Sequence, residues 1–100
     1  MLIAIVDFHT TAADRSRALA QLDSEFPAVR GMPGNIAYRV YASREDKTKV
    51  TLVHEWTDAD SFNRYQRSDS FARSGTILRP LMTAPPVSRR FRAELMETVA

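Results

Sequence analysis

Four side chains in one short stretch carry most of the chemistry this sequence can offer. In Val50–Phe71, VTLVHEWTDADSFNRYQRSDSF, residues His54, Trp56, Phe62 and Tyr65 bring together an imidazole, an indole, a phenyl ring and a phenol. The imidazole ordinarily titrates near neutral pH, which makes His54 the candidate general base, although a packed core histidine fits the same pattern. The indole N–H of Trp56 and the hydroxyl of Tyr65 are donors for an oxygen that gains charge. Asp7 and His9 form a second possible pair, sharing one strand face near its end as a base and its orienter would.

The rest of the composition closes off other chemistries. With no cysteine, the chain has no thiolate nucleophile, no disulfide and no cysteine-based metal site. No glycine-rich phosphate loop, Ser/His/Asp arrangement or paired-carboxylate spacing is visible, and two histidines without ordered spacing make a poor metal site. A net charge of +2 without a clustered basic face argues against nucleic acid as a partner. The longest apolar run, Leu2–Val6, is too short to span a bilayer and lacks the features of a signal peptide. A soluble cytoplasmic protein with no membrane partner is expected. One hundred residues, 44% apolar and 26% charged, suit a single globular domain over 1–100.

The reactive stretch needs elements to position it. Val50–Trp56 alternates and is rich in β-branched and aromatic residues, which predicts a strand with Leu52, His54 and Trp56 on one face. Asp58 offers an N-cap, Asp60 adds negative charge to the first turn, and Phe62 and Tyr65 then share a helical face. Ser68-Asp69 starts a further helical piece to about Thr76. Earlier in the chain, Leu2–Phe8 reads as a strand that is apolar on both sides, with Leu2, Ala4, Val6 and Phe8 opposite Ile3 and Ile5. Leu19, Leu22, Phe26 and Val29 mark the buried stripe of the first helix, with a break expected at Phe26 before Pro27. Asn35–Ser43 and Ser88–Thr98 complete the strands, the arginines at 89, 90 and 92 being assigned to solvent or to pairs across a dimer. Tyr38 and Arg39 lie on opposite strand faces, so at most one of them lines a pocket.

Strand, helix, strand, strand, helix, strand is the order of a ferredoxin-like α+β fold with an antiparallel sheet. The chain's own helices cover only one face of that sheet. The other is expected to meet a second copy, giving a homodimer and a dimeric α+β barrel.

Pro33-Gly34-Asn-Ile-Ala-Tyr38 through Ser43, the strand ending at Trp56, Asp58–Phe71 and the Leu81–Pro86 lead-in to the last strand resemble the antibiotic-biosynthesis monooxygenase family. The resemblance implies a small dimeric barrel, and several such proteins oxygenate quinols or phenolic polycycles with dioxygen and no cofactor. Where quinol-type members carry histidines, this chain has Tyr65 and Ser70; where anthrone-type members carry asparagine and tyrosine, it has Leu52 and Phe62, so that only Trp56 carries over. Glu55–Phe71 is also similar to a heme-degrading branch, whose asparagine, tryptophan and iron-ligating histidine are replaced here by Asp7, Tyr65 and Gly75. The resemblance thus implies a monooxygenase acting on a small aromatic substrate, with a binding protein that does not react, or a heme oxygenase, as alternatives. On it, His54, Tyr65 and Trp56 would be catalytic, and Leu52, Phe62, Tyr38 and Asp7 would contact substrate.

Overall fold

Four of the alternating stretches become strands in the computed structural model, which describes residues 1–100. They are β1 (Leu2–His9), β2 (Asn35–Ala42), β3 (Lys49–Trp56) and β4 (Val87–Arg92), ordered β2-β3-β1-β4 in one antiparallel sheet. Helices α1 (Arg15–Arg30), α2 (Ala59–Gln66) and α3 (Asp69–Leu78), followed by a 3-10 turn at Arg79–Leu81, make the connections. This is the ferredoxin-like α+β arrangement.

Register decides which face each residue occupies. Leu2, Ala4, Val6 and Phe8 of β1 stand opposite Trp56, His54, Leu52 and Val50 of β3. These residues face the helices and form the core with Ala18, Leu22 and Val29 of α1, Phe62 and Tyr65 of α2, and Leu78 of α3. The other face carries Ile3, Ile5 and Val53 beside Phe91, which is 45% exposed, and no helix packs there. Ion pairs Arg39–Glu55 at 2.8 Å and Arg89–Asp7 at 3.5 Å lie on this same uncovered face.

Two expectations need correction. The first helix does not break before Pro27 but runs unbroken to Arg30. Pro27 removes only the bond to the Asp23 carbonyl, and both residues are exposed, so water can solvate what the ring leaves unpaired. The buried stripe is Ala18, Leu22, Glu25 and Val29, and Phe26 turns outward at 45% exposure. The last strand is also shorter than Ser88–Thr98. Its ladder reaches Leu2↔Arg92, beyond which Ala93 N–H donates to the Met1 carbonyl and the Met1 amine donates to the Ala93 carbonyl.

One glycine sets how α2 sits on the sheet. Gly34, at φ +85°, accepts a hydrogen bond from Thr57 N–H at 2.8 Å, and a Cβ there would overlap Ser61 in the first turn of α2. The close approach brings the Phe62 and Tyr65 face down onto β3.

Candidate functional site

The site begins with strand alternation. Along β3, Val50, Leu52, His54 and Trp56 are buried while the residues between them are partly exposed, so the imidazole and indole point toward the helices. Asp58 then caps α2, accepting from Ser61 N–H at 2.8 Å, and Ser68 caps α3, accepting from Phe71 N–H at 3.1 Å. These two short helices and the sheet line a partly open cavity of about 210 Å³. Its apolar wall includes Leu52, Phe62, Phe71 and Leu78, and His54 and Tyr65 open onto it.

His54 is the centre of an aromatic cluster. Its ring centroid lies 5.4 Å from Tyr65, 5.6 Å from Phe62, 6.0 Å from Tyr38 and 6.1 Å from Trp56. Trp56 is fully buried, and its Nε1–H donates to His54 Nδ1 at 2.8 Å. Indole is a donor only, so Nδ1 must present its lone pair, and the neutral imidazole keeps its proton on Nε2. Burial, helped by the nearby Arg90 charge, lowers the His54 pKa from 6.5 to about 4. At neutral pH the ring is uncharged, with Nδ1 occupied and Nε2 protonated.

Burial also pushes the Tyr65 phenol up to about 12, with the Glu25 carboxylate adding to the effect. Tyr38 is raised above the ordinary tyrosine value, first by burial and then by Tyr65 and Glu25. Both phenols therefore remain donors at neutral pH. Glu25 itself is 8% exposed and accepts from Ser70 Oγ and from Gln21 Nε2, tying α1 to α3.

Of the residues singled out from sequence, Leu52, His54, Phe62 and Tyr65 line the cavity together. Trp56 and Tyr38 pack against the imidazole without lining it. Asp7 is not at the site. Strand alternation puts it on the uncovered face, where it accepts from Thr51 and pairs with Arg89. His9 lies 3.5 Å from Asp46 at an exposed position, also away from the cavity. The arginines of β4 are solvent-exposed, as expected; by register Arg90 and Arg92 lie on the helix side, and Arg90 also lines the cavity with its guanidinium 5.0 Å over the Phe62 ring. Sequence reasoning missed Arg90, Arg79 and the buried Glu25. The 18/22/25/29 spacing of α1 could have revealed Glu25, whereas Arg90 depends on how β4 pairs with β1.

No group of three or more His, Asp or Glu side chains converges as a metal site would require. No helix is long and apolar enough to cross a membrane. The cavity presents the His54 imidazole and the Tyr65 phenol between largely apolar walls.

Comparison with known proteins gives the family and the fold. The family model described as antibiotic biosynthesis monooxygenase matches residues 1–74, which include β3 and α2. None of the curated proteins matches the chain. A solved structure from Deinococcus radiodurans is 14% identical with a TM-score of 0.90, over 100% of this chain and 99% of that one. Rv0793 from Mycobacterium tuberculosis is 20% identical with a TM-score of 0.86, over 98% of both chains. A conserved protein from Methanosarcina mazei is 21% identical with a TM-score of 0.86, over 94% of both. Identities this low bear on the fold alone.

Proposed function

Because the chain belongs to the antibiotic biosynthesis monooxygenase family, we propose that it is a cofactor-independent monooxygenase that joins dioxygen to a small quinol, anthrone or polyphenol-like substrate. The observation that supports this most is the aromatic-walled cavity onto which His54 and Tyr65 open. Such substrates carry an acidic proton. Once it is lost, the carbanion or enolate passes one electron to dioxygen, and the radical pair joins to form a carbon–oxygen bond. The resulting peroxide takes up a proton, its O–O bond breaks with loss of water, and a carbonyl remains. For an anthrone-type methylene, one dioxygen thus yields one carbonyl and one water.

The chain's part is to hold the anion, keep the radical pair dry and supply a proton. Leu52 and Phe62 exclude water. Tyr65, a neutral phenol, donates a hydrogen bond to the peroxide. Trp56 acts through His54, since its only N–H is already given to Nδ1. Tyr38 backs the ring. The whole of 1–100 works as one domain, with β4 closing the cavity through Ser88 and Arg90. A second copy would cover the apolar face around Ile3, Ile5 and Val53, making the homodimer.

Oxygen uptake over a panel of hydroquinones, anthrones and flavonols tests the proposal. Uptake well above the buffer rate with at least one class is expected, abolished by filling the cavity with Leu52→Trp. A protein that binds these compounds but consumes no oxygen would be a binding module, and the oxygenase assignment would be abandoned.

A further inference from the structure

One row of residues crosses the sheet at the cavity. Ala4 of β1 stands opposite His54 on one side and opposite Arg90 on the other. All three side chains face the helices, and the methyl group between the other two is too small to separate them. Imidazole and guanidinium therefore overlook the same space, and both line the cavity. A second guanidinium, Arg79, lies on the wall, which contains no aspartate or glutamate. The one buried carboxylate, Glu25, is committed to Ser70 and Gln21 and is not among the lining residues.

We infer that this cavity binds its aromatic substrate as the oxyanion, with His54 Nε2–H donating to the anionic oxygen beside the Arg90 guanidinium, and that Trp56 is the positioning residue that holds His54 in the donating tautomer. The inference deepens the oxygenase proposal and rests on the same cavity. His54 is then a donor and not the base expected from sequence. Its Nδ1 is filled by the indole and its Nε2 already carries a proton, so the substrate's proton leaves to solvent. The groups that meet His54 are consistent with this from every side: Tyr38 from β2, Trp56 on β3, Arg90 from β4, and Phe62 and Tyr65 from α2. None is a carboxylate that would draw a proton onto the ring. Arg79 and Arg90 both lie beyond residues 1–74, so this charge arrangement belongs to the part of the chain outside the family match.

The sign of one measurement separates this from a plain apolar cavity. Burial alone disfavours a phenolate, as the raised Tyr65 shows, and would make a bound phenol a weaker acid than in water. Binding 4-nitrophenol and titrating its phenolate absorbance should instead show it about tenfold or more stronger as an acid than when free. His54→Phe and Arg90→Met should each remove most of that gain while the proteins still melt cooperatively. Trp56→Phe should reduce it, because the released imidazole can place its proton on either nitrogen. Long-range proton–nitrogen spectra should find His54 protonated on Nε2 in the unmodified protein and mixed between the nitrogens in Trp56→Phe. A bound nitrophenol weaker as an acid than the free one, no saturable binding, or a proton on Nδ1 would overturn the inference. Full acid strengthening in Trp56→Phe would overturn the positioning role. The readout needs no oxygen chemistry, so an acid-strengthening site with no oxygen uptake would remove only the oxygenase proposal.

Discussion

Mild acid should weaken this protein before its carboxylates begin to protonate, and His54 is the reason. Its pKa falls from 6.5 in the ordinary state to about 4 in the fold, through burial first and Arg90 second. The unfolded chain therefore takes up a proton in this window that the folded chain refuses. The His54 contribution is complete above about pH 6.5 and is lost progressively as pH falls toward 4. With the ring only 2% exposed, solvent screening removes little of the effect. The linkage amounts to about 3 kcal/mol in full, of which about 2.5 kcal/mol is gone by about pH 4.5. Asp46, held low mainly by its Thr48 hydrogen bonds, and Asp58, held low mainly by Ser61 N–H, lose their contributions as pH falls from about 5 through their ordinary 3.8, so the upper part of this window belongs to His54 and the comparison with the variant cancels the rest. Urea unfolding at fixed protein concentration, at about pH 7.5 and 4.5, measures the slope in the unmodified protein and in His54→Phe. The variant should be about 1–3 kcal/mol less stable at the higher pH, because the buried Trp56 N–H loses its acceptor. At the lower pH the two should nearly converge. Parallel pH dependences would refute the buried neutral ring, and equal stability at the higher pH would refute the hydrogen bond.

Gly34→Ala should lower the melting temperature by about 4–8 °C or more, since a positive φ costs about 1 kcal/mol and the new methyl also meets Ser61; an unchanged melt would mean α2 is not seated through this contact. Ile5→Arg should leave the fold intact but give monomers or aggregates in light scattering, whereas Val6→Arg, on the helix side, should abolish cooperative melting. Equal effects would contradict the assignment of faces. Ser70→Ala takes from the buried Glu25 one of its two donors and should cost about 1.5–3 kcal/mol in urea unfolding; a loss below about 0.5 kcal/mol would show that the pair contributes little.

Local pattern was enough to place the cluster. Alternation in β3 and the Asp58 cap brought Leu52, His54, Phe62 and Tyr65 to one cavity, because a strand phase and a helix start are both written in neighbouring residues. The missed parts depend on distant pairing. In Ser88-Arg-Arg-Phe-Arg92 hydropathy favours Phe91 as the inward residue, but antiparallel register with β1 places it opposite Ile3 on the uncovered face and puts the solvent-exposed Arg90 on the helix side, where it lines the cavity. Glu25 falls on the 18/22/25/29 stripe of α1, so its burial was locally legible, but its partner Ser70 lies on another helix and no local pattern announces that bond. Asp7 misled because a carboxylate beside an apolar run resembles a site residue, while its partners Thr51 and Arg89 are set by sheet pairing. The donor role proposed for His54 rests on one contact between residues two apart on the same strand. Their shared face was visible in sequence; the direction of the hydrogen bond between their ring nitrogens was not.

Oxygen-isotope labelling tests the central claim most directly. The purified protein, treated with a chelator and supplied with labelled dioxygen and the best substrate of the oxygen-uptake panel, should place one labelled oxygen in the product carbonyl and the other in water. The rate should be unaffected by added flavin or metal and should fall sharply in Tyr65→Phe and Leu52→Trp. Product oxygen drawn from water, or turnover that appears only when flavin or metal is added, would contradict the account of a cofactor-free oxygenase built around His54 and Tyr65.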